Sequence, residues 1–89
     1  MAILITYDIP IKHREFKNEM FALGYLDKIS DPTCKIIYFP NTSLYHPNNS
    51  AQKAREDARS VCAKLGILLE KCISTAWKDW AAICGEPFK

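Results

Sequence analysis

The apolar residues of the chain include two short runs that lack helical spacing. The run AILITYDI (Ala2 to Ile9) is rich in Ile and Thr and stops at a proline, which predicts a buried strand. The run CKIIYF (Cys34 to Phe39) has the same character and also stops at a proline. We therefore expect two central strands, each covered on at least one face.

Two longer segments, KHREFKNEMFALG and SAQKAREDARSVCAKLG, have the apolar period of an amphipathic helix. Gly24 and Gly66 stand where each helix should stop, and Asn49 or Ser50 should cap the second one. The apolar positions are Phe16, Met20 and Leu23 in the first segment, and Ala54, Ala58, Val61, Cys62 and Leu65 in the second.

Two similar sequences stand at the ends of the helices, LGYLDKIS (Leu23 to Ser30) and LGILLEKCIS (Leu65 to Ser74). The order of strand, helix, glycine and strand therefore occurs twice, which predicts an internal βαβ duplication. The expected fold is α+β, a single domain over residues 1–89 with the ferredoxin-like βαββαβ sandwich, in which two helices cover one face of a four-stranded antiparallel sheet. In that sandwich the first and third strands are parallel neighbours.

Two further segments complete the predicted architecture. The Pro, Asn and Ser content of PNTSLYHPNNS predicts a long loop at 40–50. The tail STAWKDWAAICGEPFK places Trp77, Trp80, Ala81 and Cys84 on one stripe, which predicts a short C-terminal helix at about 75–84. The Trp77/Trp80 face must be an interface, either with an open sheet edge of the same chain or with a second protomer.

Composition narrows the class of protein. With 89 residues, the chain closes one core, and its net charge of +2 neither requires nor excludes a nucleic-acid partner. We expect neither a membrane span nor a signal peptide, and therefore a cytoplasmic protein. The four cysteines are irregularly spaced and lack a CxxC pair, so zinc is not expected and they should be small core residues in a reducing compartment.

The predicted topology places a candidate site at one edge of the sheet. Parallel first and third strands would bring Asp8 and the long loop together there, beside the N-termini of both helices, which favour phosphate. His46 is one of only two histidines and is a candidate catalytic residue, although with Pro47 it could simply shape a turn. The candidate nucleic-acid-binding residues are Lys12, His13, Arg14, Lys17, Tyr45 and Lys53.

A strand ending in Tyr-Asp-Ile and followed by Lys12, His13 and Arg14 resembles the start of the small CRISPR-associated adaptation endonucleases and the related VapD-type toxins of toxin–antitoxin systems. The resemblance implies a ferredoxin-like homodimer in which Asp8 of each chain is a catalytic metal ligand. It also implies Mg²⁺ shared across the two-fold axis, with RNA or DNA as the substrate.

Two functions follow as hypotheses. The first is a dimeric nucleic-acid-binding protein that acts as a Mg²⁺-dependent nuclease through Asp8. The second is a non-catalytic interaction protein, such as an accessory or inhibitor protein of a phage or other mobile element, that binds another protein through Trp77 and Trp80 or the long loop. Asp8 itself is open to a structural reading, because aspartate also accepts backbone hydrogen bonds in turns.

Overall fold

The computed structural model of the chain describes residues 1–78 and 80–85. In chain order, the elements are one strand, one helix, three strands, one helix and one strand. Their bounds are β1 (Ile3–Asp8), α1 (His13–Ala22), β2 (Lys28–Asp31), β3 (Lys35–Tyr38), β4 (Ser43–His46), α2 (Ala51–Leu65) and β5 (Lys71–Ala76).

The strands form two small sheets. In the first, β1 is central and runs antiparallel to both β4 and β5. Its residue Ile3 lies opposite His46 on one side and Ala76 on the other, which fixes the register of the sheet. The second sheet is the antiparallel hairpin of β2 and β3, and a single bridge between Leu26 and Tyr45 joins the segment before it to β4.

The predicted four-stranded ferredoxin-like sheet is wrong, although the α+β composition is correct. The run CKIIYF does contain a strand, but β3 pairs with β2 and not with β1. The place beside β1 is taken by β4, which lies inside the predicted loop 40–50. Ser43 and Leu44 are buried there, so a short strand forms between the asparagine and proline residues that suggested a loop.

Both helices pack against one face of the three-stranded sheet. Alternate residues of β1, namely Ile3, Ile5 and Tyr7, are buried and belong to the same apolar core as residues of α1 and α2. From the helices this core receives Phe16, Met20, Ala54, Ala58, Val61 and Cys62. No helix in the described part of the chain is long and apolar enough to cross a membrane.

The helix ends show that α1 and α2 run in opposite directions. Ser50 caps α2 by accepting a hydrogen bond from the Lys53 amide, and Gly66 ends it with φ 69°, as the sequence predicts. Lys12, at the start of α1, donates from Nζ to the carbonyl of Leu65 at the end of α2, at 3.0 Å. The two helix N-termini therefore lie at opposite ends of the domain, and their predicted convergence on one edge is wrong.

The predicted C-terminal helix at about 75–84 is also wrong. Strand β5 continues to Ala76, and the Trp77 amide extends its pairing by donating to the carbonyl of Ala2 at 2.9 Å. The described residues that follow, 77, 78 and 80–85, have no helical or strand structure. We call them the C-terminal strap. Because residue 77 is held in the sheet ladder, the tryptophan spacing does not produce a helical stripe.

The cysteines divide into two pairs with different roles. Cys62 is buried and Cys72 is half-buried, and both are free, in keeping with small core residues. Cys34 and Cys84 instead form a disulfide, with their Cα atoms 5.7 Å apart. The expectation that all four cysteines are core residues is therefore wrong for this pair.

Candidate interaction site

Four aromatic side chains meet on the face of the sheet that the helices leave open. Phe39, Tyr45 and Trp77 contact one another, with ring centroids 5.6 to 5.9 Å apart. Trp80 stacks on Trp77 at 4.9 Å and is 43% exposed. We call these four residues the aromatic cluster. These distances are those of the tilted and offset arrangements that aromatic rings prefer, and such packing buries large apolar surfaces.

The backbone explains why residues so distant in sequence converge there. Tyr45 lies opposite Leu4 in the β1–β4 register, so both side chains point away from the buried face that Ile3 and Ile5 occupy. Trp77 continues β5 on the other side of β1. The amide of Phe39 donates to the carbonyl of Asp27 at 2.9 Å, which extends the β2–β3 ladder by one pair, and the Leu26–Tyr45 bridge next to it joins this end of the hairpin to β4.

A largely apolar groove of about 860 Å³ lies between the sheet face and the C-terminal strap. Its volume falls within the range that ligand pockets in proteins usually have. Much of its strap wall is accessible, since Ile83 is 84% exposed. The apolar lining includes Leu4, Ile37, Phe39, Trp77, Ala82 and Ile83.

Polar groups stand around this groove. The Lys28 ammonium lies 6.0 Å from the ring centroid of Tyr38, a residue of the groove wall. Asn41 and Ser43 also line the groove on the β4 side. The groove therefore combines a largely apolar lining with a few polar groups, and one lysine lies beside a residue of its wall.

Asp8 and His46, the two predicted catalytic residues, are not brought together. Asp8 is exposed at the end of β1, opposite Lys71, whereas His46 lies opposite Ile3 at the other end of the same strand. At a rise of about 3.3 Å per residue, the five steps from Ile3 to Asp8 correspond to roughly 17 Å. No single small substrate group could contact both side chains at that separation.

The ring of His46 has backbone partners on both nitrogens. The Asn48 amide donates to Nδ1 at 3.1 Å, so Nδ1 is the acceptor. Nε2 lies 3.2 Å from the Leu23 carbonyl, which can only accept, and the neutral ring therefore carries its proton on Nε2. Gly24 makes room for this contact, because a Cβ at that position would lie 2.9 Å from Nε2. His46 thus joins the end of α1 to the turn after β4.

The predicted nucleic-acid-binding residues are dispersed. Arg14 and Lys17 line one small pocket of about 250 Å³ together with Lys28, and burial lowers the pKa of Lys17 while the nearby Asp27 opposes that shift. Lys12 contacts Leu65, and His13 begins α1 half-exposed. Lys53 forms an ion pair with Asp57 on α2, and Tyr45 belongs to the aromatic cluster.

A buried polar network that the sequence did not point to anchors α2. The Tyr25 hydroxyl donates to Oδ2 of Asp57 at 2.8 Å, and Asn49 Nδ2 donates to the Tyr25 oxygen at 3.1 Å. Burial alone would raise the pKa of the Asp57 carboxyl, but hydrogen bonds from Lys53 and Tyr25 outweigh it and lower that pKa. Burial and the bond to Asp57 raise the pKa of the Tyr25 hydroxyl. Both effects favour Tyr–OH donating to a carboxylate.

Among the described residues, no three His, Cys, Asp or Glu side chains lie close enough to hold one metal ion. Asp8 is the carboxylate that the resemblance assigns to Mg²⁺, and one carboxylate per chain leaves most of the six oxygen positions to other ligands. A shared Mg²⁺ site would therefore need Asp8 of a second copy.

The sequence pointed to Trp77, Trp80 and Tyr45, but not to their common surface or to Phe39 as its fourth member. The residues of β4 do not alternate between buried and exposed positions, so NTSLYHP carried no period-2 signal that would have placed Tyr45 beside β1. For Cys34 and Cys84, which are 50 residues apart, the spacing carries no pairing signal.

Compared with protein families, curated proteins and solved structures, the chain matches none of them. The likeness to adaptation endonucleases and VapD-type toxins rests on the residues around Asp8.

Proposed function

We propose that the chain is a non-catalytic interaction module that binds an extended segment of another protein in the groove beneath the C-terminal strap. The observation that carries this proposal is the groove itself, an open apolar volume of about 860 Å³ bordered by the aromatic cluster. Open apolar surfaces rimmed by polar groups are typical of protein-binding sites, and Trp and Tyr commonly supply most of the binding free energy.

The arrangement of titratable groups supports a binding role over catalysis. His46 uses both ring nitrogens on backbone groups, and Asp8 lies at the far end of β1. A general base and its partners normally lie within hydrogen-bond reach of the same reacting atom. The free thiols are also poor nucleophile candidates, because burial raises the pKa of Cys62 and of Cys72.

The groove indicates the chemistry of its partner. Its apolar lining suits bulky aliphatic or aromatic side chains, and the Lys28 ammonium beside Tyr38, a lining residue, favours a flanking carboxylate. The expected partner is therefore an extended protein segment that carries adjacent bulky apolar residues next to Asp or Glu.

A labelled peptide with a central Leu-Phe pair flanked by glutamates tests this proposal by fluorescence anisotropy. Ile83→Glu places a carboxylate on the groove wall and is expected to weaken binding about tenfold through charge repulsion and loss of apolar contact. The matched control is Leu68→Glu, at a position that is 66% exposed and lies outside this groove. Equal affinities of both variants and wild type, or no binding by any of them, would contradict the proposal.

A nucleic-acid-binding protein is the second candidate, and the aromatic cluster favours it specifically. Tyr45, Trp77 and Trp80 present partly exposed rings near lysines, a combination that single-stranded nucleic-acid sites use for stacking and phosphate contact. In this proposal the chain forms a homodimer in which paired Asp8 carboxylates hold Mg²⁺ for phosphodiester cleavage.

Binding assays with single-stranded RNA and DNA distinguish this candidate from the first. Oligonucleotides of about 12 nucleotides lie within the usual range of site sizes. The second candidate requires binding that weakens steeply with salt, a dimer by light scattering, and Mg²⁺-dependent cleavage that Asp8→Asn abolishes. A monomer, or equal cleavage by wild type and Asp8→Asn, removes the paired-metal role. Binding of the peptide without binding of either nucleic acid favours the first candidate.

A further inference from the structure

We propose that the Cys34–Cys84 disulfide is a reversible latch that holds the C-terminal strap over the groove. Opening the latch would release the strap and remove the groove wall that Ile83 forms. The strap release follows from the structure of the chain itself, whereas its effect on partner binding rests on the function proposed above.

The latch fixes one end of the strap to the hairpin. Cys34 directly precedes β3, and the Tyr38 amide donates to the Cys84 carbonyl at 3.2 Å. Gly85 follows in close contact, since a Cβ there would lie 3.1 Å from the carbonyl oxygen of Tyr38 and its φ is 72°. The strap end therefore lies directly against β3.

Few other contacts fix the strap beyond its first residue. Its start is held by the Trp77 amide, which pairs with Ala2, and by the packing of Trp77 in the aromatic cluster. From residue 78 onward its described residues are all exposed and outside regular secondary structure. The strap beyond Trp77 is held by the Trp80 ring stacked on Trp77 and by the Tyr38–Cys84 hydrogen bond, and a segment with so little burial opens at low free-energy cost. The disulfide at Cys84 is the covalent contact that confines it.

The disulfide is accessible to a reductant, and the other thiols do not compete for it. Cys84 is exposed and Cys34 is half-buried, so a small dithiol can reach the sulfur atoms. Cys62 and Cys72 lie in or against the core under the helices, away from this face. Neither is placed to exchange with the latch from within the chain.

The reaction is an ordinary thiol–disulfide exchange with a dithiol as the reductant. Its thiolate attacks one sulfur of the pair, breaks the S–S bond and forms a mixed disulfide, while the other cysteine leaves as a thiolate and takes up a proton. The second thiol of the reductant then displaces the remaining cysteine. Two electrons and two protons pass to Cys34 and Cys84, and the dithiol becomes a cyclic disulfide.

Amide hydrogen exchange before and after treatment with dithiothreitol tests the latch. The Tyr38 amide is the reporter, because it donates to the Cys84 carbonyl, and the Ile5 amide in the sheet centre is the internal reference. We expect reduction to accelerate exchange at Tyr38 about tenfold through a local opening that does not depend on low concentrations of urea, whereas exchange at Ile5 should remain tied to global unfolding. Alkylation should count two free thiols before treatment and four after it.

Matched variants separate the latch from general effects of reductant. Cys34→Ser/Cys84→Ser should show the fast Tyr38 exchange without dithiothreitol, and Cys62→Ser/Cys72→Ser should respond like wild type. Four alkylated thiols in the untreated protein, or unchanged Tyr38 exchange after full reduction, would overturn the latch.

The same reduced and oxidised samples keep this inference distinct from the proposed function. Faster Tyr38 exchange together with weaker binding of the Leu-Phe peptide supports both, because Ile83 leaves the groove when the strap is released. Faster exchange with no peptide binding in either state supports the latch and contradicts the peptide-binding function.

Discussion

Among single residues, Asp57 shows how a charged group is stabilised inside a domain this small. Its carboxylate is 6% exposed and receives hydrogen bonds from the Tyr25 hydroxyl and from Lys53. Asn49 completes the arrangement by donating to the Tyr25 oxygen. Because each buried polar atom has a partner, the network links the segment after α1, the turn before α2 and the helix itself without an uncompensated charge.

The lowered pKa of Asp57 predicts an acid-dependent stability. Its usual value of 3.8 applies to the unfolded chain and the folded value is lower. The stabilisation is therefore fully present above about pH 4 and is lost as the pH falls through the folded pKa. Asp57→Asn should lower the free energy of unfolding by about 1–3 kcal/mol near neutral pH and less near pH 2, as measured by urea unfolding.

Asp8→Asn is the control for this prediction, because Asp8 is exposed and should change stability by less than about 0.5 kcal/mol. An equal loss in both variants, or a loss in Asp57→Asn that does not depend on pH, would show that the network does not stabilise the carboxylate.

At the scale of elements, the helices and most strands could be predicted, whereas the pairing of the strands could not. The spacing of Phe16 and Met20, with glycines at the helix ends, reflects local physics, and α1 and α2 formed where expected. Strand β4 has four residues, and its identity depends on burial of Leu44 against β1, a long-range contact. Once β4 takes that place, β3 must pair elsewhere, and the predicted edge with Asp8 and His46 disappears.

The cap of α2 gives a direct test at this scale. Ser50 Oγ accepts from the Lys53 amide at 3.1 Å, so Ser50→Ala should lower the free energy of unfolding by about 1 kcal/mol. Ser60 is exposed in the middle of the same helix, where Ser60→Ala should be neutral or stabilise by about 0.5 kcal/mol through helix propensity. Chemical denaturation of both variants measures the difference, and a similar change in both would refute the cap.

At the scale of the whole molecule, few of the described contacts join the two small sheets. The Leu26–Tyr45 bridge connects the segment before the hairpin to β4, and the aromatic cluster packs Phe39 against Trp77. The Cys34–Cys84 disulfide adds a covalent link between the hairpin and the strap that leaves β5. A chain of 89 residues buries a modest fraction of its surface, so a link across its two parts has a large relative effect on stability.

Removing that link should destabilise the whole fold as well as release the strap. The disulfide closes a loop with a sequence separation of 50 residues, for which the chain-entropy estimate is about 4 kcal/mol, partly offset by the freedom that the strap gains in the folded state. We expect Cys34→Ser/Cys84→Ser to lose about 2–4 kcal/mol in urea unfolding and to become insensitive to dithiothreitol. Wild-type protein should match the variant after reduction. Coincident unfolding curves for oxidised wild type and the variant would show that the hairpin and the sheet hold together without the disulfide.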